Sequence, residues 1–448
     1  MSGHQREKWS SFLSFIWVAA GAAVGLGNIW KFPYMAGSHG GSAFVIMYLF
    51  FVLLVAVPVM IAEIMLGKLG QSDAISSISS LACSNNLSQK WRYTGYLGLT
   101  TLFLVFCFYS VVAGFSIAYF IFSVIGKFSQ KTPDQIQIIW TNFLSQPTML
   151  MSCALLFIFF TMAIVFFGVQ KGIERACSWM MPALLVVLLV LVLDASLSDG
   201  FREALKFLFS FEPQKIEPGI IVSSLGHAFF TLAVGACAMM VYGSHLPKKI
   251  SVTRAVLVIA GLDVLVALLS GMAIFPLIFS FGLSPAQGPG LMFVSLPIVF
   301  AKMSFGAFWG SLFFLLLFFA ALSSSLSFAE PLVEHCIAKM RMSRRTASVI
   351  VGMATFIGSI ICACSFNLWS EVKLFGRFGV FDFIADLSTN IFLPIGGIAI
   401  SLFAARVIKS EHLFGDNSFK RKFFFPMWRV LIGVVAPLAI LIVMMSAL

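Results

Sequence analysis

Stretches of roughly 20 apolar residues, each long enough to cross the hydrocarbon core of a bilayer, recur from the N-terminus almost to Leu448. No other property of the sequence narrows the possible folds so far. With 60% hydrophobic residues, 10% charged and 50 phenylalanines, a water-soluble fold could not hide the apolar surface. The bilayer is the solvent, and spans without strand periodicity must be helices that pair their own backbone groups. Runs bounded by polar or Pro/Gly segments suggest eleven helices, centred roughly on 10–38, 41–70, 95–125, 148–168, 177–197, 222–246, 252–279, 303–338, 346–364, 380–407 and 427–447. The expected fold is an all-α polytopic membrane protein.

The net charge of +11 does not point to nucleic acid, because the basic residues sit in short clusters between apolar runs. Orientation accounts for them. Of 29 basic residues, twenty fall on the side of the N-terminus, in clusters such as Lys248–Lys249, Arg344–Arg345 and Lys420–Arg421–Lys422, and eight on the other, with Lys31 left inside the first span. The N-terminus is therefore expected in the cytoplasm and, with an odd helix count, the C-terminus outside. The eight cysteines show no CxxC and no paired spacing in an outer loop, so neither a disulfide framework nor a zinc site is expected. The first apolar run is long and glycine-interrupted, which reads as a span rather than a cleavable signal.

Two spans carry similar interruptions: Gly21-Ala22-Ala23-Val24-Gly25-Leu26-Gly27 in the first and Thr231-Leu232-Ala233-Val234-Gly235-Ala236 in the sixth. Matching breaks five helices apart suggest an inverted repeat, helices one to five pairing with six to ten, and a binding site at the bilayer midplane. Glycines that only allow close helix packing are the alternative. Unwound backbone buried in protein frees carbonyls for a cation and amides for an anion. A zwitterion plus sodium suits that chemistry. A carboxylate would rest on the amides of Leu26 and Gly27, and an ammonium would meet carbonyls of Ala23, Phe230, Thr231 and Ala233. Asn28, Thr231 and Ser323-Ser324-Ser325 offer the hard oxygens that sodium prefers.

Ionisable residues inside spans are costly, roughly 2.5–3.5 kcal/mol each on insertion scales. Glu63 is expected to accept hydrogen bonds from the freed amides. Asp263 is either a polar group packed in the bundle or a fixed negative charge beside sodium. Glu330, preceding Pro331, is expected to serve backbone freed by the proline. No nucleophile elbow, phosphate loop or metal-ligand spacing suggests an enzyme, and the six histidines form no ligand pattern in the sequence.

Trp9, the run Ala23-Val24-Gly25-Leu26-Gly27-Asn28-Ile29-Trp30-Lys31-Phe32-Pro33 and Gly40-Gly41-Ser42-Ala43-Phe44 resemble the first-helix signature of the neurotransmitter:sodium symporter family. Tyr109-Ser110-Val111-Val112-Ala113-Gly114, Phe229-Phe230-Thr231-Leu232, Gly288-Pro289-Gly290 with the residues to Pro297, and Ala320-Ala321-Leu322-Ser323-Ser324 extend the likeness along nearly the whole chain. The resemblance implies eleven helices with a 5+5 inverted repeat, broken at one and six: residues 1–200, then 201–410, then an additional helix in 411–448. It implies a first sodium site at Ala23, Asn28, Thr231 and Asp263 together with the substrate carboxylate. A second would comprise Gly21, Val24, Ala320, Ser323 and Ser324. Tyr109 would bind the carboxylate alongside Gly25, Leu26 and Gly27. Ala22, Val105, Ala233, Ala236, Ser325 and Phe328 would line the side-chain pocket. Phe230 would act as a lid, with Lys31, Asp386 and Arg6 as gate residues.

Glycine at position 25, where monoamine carriers of the family hold an aspartate, favours an amino acid over an amine. Ala236 makes the pocket roomy, which favours a large apolar or aromatic side chain. Tyr48 and Thr231 match family chloride positions, but His227 and Ala267 do not, and the carboxylate of Asp263 would make chloride unnecessary. Asp386 lies one position off the spacing expected for a partner of Lys31, and Ala338 stands where an acid would face Arg6, with Glu334 one turn earlier. The expectation is sodium-coupled, chloride-independent uptake of an amino acid by alternating access. It uses two sodium ions in a bacterial inner membrane, as a monomer or weak homodimer without nucleic-acid partners. Proton-coupled transport or exchange, a channel, and a non-transporting sensor on the same fold are the alternatives.

Overall fold

The computed structural model describes residues 7–447 apart from 211, 213, 215, 248, 287–289 and 416. Arg6, Lys215, Lys248 and the Gly288-Pro289 pair lie outside the described residues. Among those described the chain is helical throughout, with no strand beyond one isolated bridge between Leu374 and Phe378.

The chain enters through α1 (Phe12–Ala23), α2 (Gly27–Ser38) and α3 (Ser42–Gly70), then the short α4 (Ala74–Ser84). The long α5 (Gln89–Val124), α6 (Pro133–Leu144), α7 (Pro147–Phe166), α8 (Val169–Ser196) and α9 (Phe201–Phe209) follow. Next come α10 (Pro218–Thr231), α11 (Ala238–Ser244), α12 (Val252–Ser280), α13 (Leu291–Lys302) and α14 (Gly306–Met340). The chain closes with α15 (Arg344–Cys364), α16 (Val380–Val407), α17 (Ser410–Phe414) and α18 (Phe419–Ser446). Nine of these are long and apolar enough to cross a membrane, and α1 with α2 forms a further pair bent by 52°.

Five helices missing from the sequence reading, α4, α6, α9, α13 and α17, are 5 to 12 residues long. Such lengths cannot span a bilayer. Their starts are nonetheless written in the sequence: Asp73 caps α4 through the amides of Ile75 and Ser76, and Thr132 with Gln135 forms a capping box on α6.

The central packing is α14 lying along α5, with α7, α8 and α15 around them, while α3 holds α10, α11 and α16. Burial follows this plan. On α1, Phe15, Val18, Ala19 and Ala20 are fully buried. On α18, Val430, Val434, Leu438, Leu441 and Met445 are exposed, and their spacing of three to four residues puts them on one helix face. That stripe suits lipid, not a protein partner within the bundle.

Candidate functional site

The α1–α2 break forms because Val24 leaves the helical region (φ −73°, ψ 103°), after its amide has bonded the Ala20 carbonyl. Close packing then fixes the residue types on either side. A Cβ on Gly25 would collide with Ser324 Oγ and sit 3.3 Å from Tyr109 Oη, and one on Gly21 would come within 3.1 Å of Ser323 Cβ. Only glycine lets the main chain approach α14 this closely. Ser324 Oγ reaches the carbonyls of Gly21 at 3.2 Å and Val24 at 3.3 Å, and Ser323 Oγ bonds the Ala320 carbonyl at 3.0 Å. The Ser324 hydroxyl thus meets two carbonyls of the break in a buried position, oxygen chemistry that fits a hard monovalent cation.

The second break separates α10 from α11. Ala233 (φ 51°), Gly235 (φ 98°) and Cys237 (φ 66°) all take positive φ, which ends helical bonding over six residues. Glu63, fully buried on α3, accepts from the Gly235 amide at 2.8 Å and the Met239 amide at 3.1 Å. A carboxylate holding freed amides is the role expected for it.

Between the breaks lies Asp263, also fully buried. Its Oδ1 accepts from Asn28 Nδ2 at 2.8 Å and Thr231 Oγ1 at 3.1 Å, and its Oδ2 from Tyr48 Oη at 3.1 Å. The Asn28 amide group also donates to the Asp263 carbonyl at 3.0 Å and accepts from the Gly25 amide at 3.2 Å. Every partner is neutral, and among the described residues Asp263 makes no ion pair. A buried carboxylate without a counter-charge is expensive, and a cation seated against Asn28 and Thr231 would relieve it.

A cavity of about 70 Å³ opens beside these groups. Its wall holds Ala22, Ala23, Gly25, Leu26 and Gly27 from the first break, Phe230, Thr231, Ala233 and Ala236 from the second, and Val105, Tyr109 and Phe328 from the scaffold. The Tyr109 hydroxyl is buried and has no hydrogen-bond partner, so it can donate to a ligand in the cavity. Ser325 is not in this wall. It is fully buried, hydrogen-bonded to Thr161 at 2.8 Å and to the Leu322 carbonyl at 2.8 Å. One step along a helix turns a side chain by about 100°, which hands the cavity to Ser324 instead. Leu102, Phe108, Ala238 and Leu393 also line it without having been foreseen. Leu102 shares a helical face with Val105 and Tyr109, a signal the sequence did offer; Leu393 comes from distant α16 with none.

Of the gates implied by resemblance, the outer one can be followed at Lys31 and Asp386, while Arg6 of the inner one lies outside the described residues. On one side Lys31 Nζ lies 4.2 Å from the Phe230 ring centroid, and both line a vestibule of about 260 Å³ with His227, Thr389 and Asn390. Lys31 and Asp386 form no ion pair among the described residues. Asp386 instead takes a hydrogen bond at 3.1 Å from Asn390, one turn on. Both ring nitrogens of His227 are buried without partners, and its ring centroid lies 5.2 Å from that of Tyr48.

On the opposite side the Trp9 amide donates to the His245 carbonyl at 3.1 Å, and the Trp9 indole to the Tyr242 carbonyl at 2.9 Å. His245 Nδ1 meets the Glu7 carbonyl at 2.7 Å, while its Nε2 lies 3.3 Å from Glu334. Arg344 grips Glu330 with two hydrogen bonds of 2.7 and 2.8 Å and approaches Glu334 at 3.4 Å. Glu330 therefore serves a guanidinium, not backbone at Pro331, because α15 folds back along α14. His245, Glu330 and Glu334 do converge, with ligand atoms within 4.8 Å, correcting the reading that no histidine joins a ligand pattern. The bidentate Arg344 already neutralises Glu330 there.

The profile of the Sodium:neurotransmitter symporter family matches residues 6–142 and 134–448. A sodium-dependent transporter of Bacillus subtilis, YhdH, is 36% identical over 450 residues, covering 100% of this chain and 98% of that protein. A sodium-dependent transporter of Haemophilus influenzae is 31% identical over 99% of this chain and 98% of its own length. The crystal structure of MhsT in complex with L-phenylalanine superposes with a TM-score of 0.89 at 36% identity, covering 99% of this chain and 100% of that one.

Proposed function

Because this chain belongs to the Sodium:neurotransmitter symporter family, a family of sodium-coupled carriers, we propose that its cargo is an amino acid with a large apolar or aromatic side chain. The observation that carries the reading is the cavity lined from both helix breaks, where the partnerless Tyr109 hydroxyl and the backbone around Gly25 share a largely apolar wall. Those polar groups suit a carboxylate, and the apolar remainder of the wall, which includes Ala233, Ala236, Phe108 and Phe328, suits a hydrophobic side chain. The resemblance to a carrier holding L-phenylalanine supports the same class.

In this mechanism one sodium sits on Asp263, Asn28, Thr231, the Ala23 carbonyl and the substrate carboxylate, so that neither ligand binds fully without the other. A second sodium bridges Gly21 and Val24 to Ala320, Ser323 and Ser324, joining the broken first span to α14. The chain is read as eleven spans, counting α10 with α11 as one, with residues 1–200 and 201–410 as inverted repeats and 411–448 as an addition. The broken spans rock against the α5–α7–α14–α15 scaffold. Phe230 and Lys31 cover the outer mouth, and the Trp9–His245–Glu334–Arg344 network closes the inner one. Asp263 supplies the fixed negative charge that makes chloride unnecessary, and the basic-residue bias places the N-terminus in the cytoplasm of a bacterial cell.

The driving force suffices. Each sodium gains roughly 2.3 kcal/mol per 100 mV and about 1.4 kcal/mol per tenfold concentration ratio. Two ions then supply roughly 7 kcal/mol, enough for about a 10⁵-fold gradient of substrate. The test is a thermal-shift screen of the twenty amino acids with and without sodium, followed by uptake into proteoliposomes. A substrate should raise the melting temperature only with sodium present. Uptake that survives replacement of sodium by potassium at fixed pH would refute sodium coupling in favour of a proton-coupled carrier.

A further inference from the structure

Away from the transport path, a groove of about 850 Å³ opens where the end of α3, the start of α12 and the α16–α18 connection meet. Among the described residues four basic side chains line it, Lys68, Lys249, Arg254 and Lys420, against one acid, Glu411. Glu411 is already taken by Arg421 at 2.9 Å. Among the described residues Lys249 and Lys420 make no ion pair, Lys68 donates to the Ile250 carbonyl at 2.6 Å, and Arg254 has only the Phe12 ring 5.6 Å away. His412 adds no negative charge: its Nδ1 accepts the Lys409 amide at 3.1 Å. The buried Thr253 hydroxyl in the wall also has no partner. Among the described residues the groove therefore holds a surplus of positive charge and donors left unsatisfied.

We propose that this groove binds the headgroup of an anionic glycerophospholipid from the adjoining leaflet. The apolar continuation of its wall decides for lipid over a free anion. One turn beyond Arg254, Leu257 (53% exposed) and Val258 (39%) continue the groove wall onto the lipid-facing surface of α12. Leu413 and Phe414 form its half-buried apolar floor. A phosphate held by Lys249, Arg254 and Lys420 would leave its glycerol and acyl chains to run along those apolar residues. Basic pockets between spans on the side facing acidic lipids have this recognition chemistry. The site joins α3, α12 and α18 at one membrane face, so an occupied groove clamps segments that belong to different parts of the bundle.

The test uses the full-length protein, delipidated in detergent, titrated with phosphatidylglycerol or phosphatidylcholine and read by native mass spectrometry. Phosphatidylglycerol should be retained and phosphatidylcholine should not. The triple variant K249Q/R254Q/K420Q should bind phosphatidylglycerol about a hundredfold more weakly, each basic residue near an anionic surface being worth about fivefold. Lys422→Gln, outside the groove, should bind like the parent. Should the triple variant fail to fold, Lys420→Gln alone, at an exposed position, should still lose about fivefold. Equal retention of both lipids, or unchanged phosphatidylglycerol binding in the folded variants, would overturn the proposal. Displacement of the lipid by millimolar inorganic phosphate, with matching thermal stabilisation by phosphate alone, would assign the groove to a free anion and overturn it equally.

Discussion

Single residues in this protein are fixed by what stands a few ångströms away. Gly25 has no room for a methyl group beside Ser324 and Tyr109, and forced overpacking costs about 1–3 kcal/mol. Gly25→Ala should therefore weaken substrate binding roughly tenfold or more, in a sodium-dependent binding assay, while the protein stays folded. Asp263→Asn removes the one charge from a network of neutral donors. Bonds to charged groups contribute about 1.5–3 kcal/mol, so the sodium concentration for half-maximal uptake should rise about tenfold to a hundredfold. An unchanged sodium requirement would remove Asp263 from the ion site. Outside the spans, Asp73 caps α4 and faces His335 at 3.4 Å. Burial pushes its carboxyl upward, but hydrogen bonds from His335 and Ser76 outweigh that and hold it below its ordinary value. A depressed carboxyl stabilises the fold above its unfolded value near about 3.9 and loses that contribution as pH falls through the folded one. Asp73→Ala should lower stability by about 0.5–2 kcal/mol at neutral pH, and the deficit should shrink in melts below about pH 4.

At the scale of elements, the broken helices depend on an acid that never leaves the protein interior. Glu63 holds the amides of Gly235 and Met239, and each buried donor left unsatisfied costs about 1–3 kcal/mol. Glu63→Ala should give little folded protein by size-exclusion profile, whereas Glu63→Gln, which keeps an acceptor, should fold with a reduced melting temperature. These elements show how far a sequence can be read. The long spans and both interruptions were legible because apolar length and clustered glycines are local signals. The five short helices were not, because in the sequence they look like loops between spans. Side-chain direction was legible where motif and helical phase agreed, as for Val105 and Tyr109, and failed at Ser325, where a serine run gave no phase. The Glu330–Arg344 pair and the approach of His245 to Glu334 join residues brought together only by the turn between α14 and α15 and by the second break. Nothing in the local sequence announces such meetings.

For the whole molecule, the proposed cycle requires that the outer and inner closures exchange. Counterflow in proteoliposomes tests this directly: a carrier loaded inside with unlabelled amino acid should draw labelled amino acid in against its gradient, and a channel should not. The buried, uncompensated carboxylate of Asp263 has an electrical corollary. In the proposed two-sodium cycle, the vacant carrier returns with the one negative charge of Asp263 in the membrane field, and with two sodium ions and a zwitterion aboard it bears one positive charge. Membrane voltage then performs work on both strokes, drawing the filled form inward and driving the vacant form back, about 2.3 kcal/mol per 100 mV on each. Depolarisation should accordingly slow the two half-cycles alike, and presteady-state currents, which follow the applied field whichever sign the carrier bears, should persist in carriers denied both cargo and sodium.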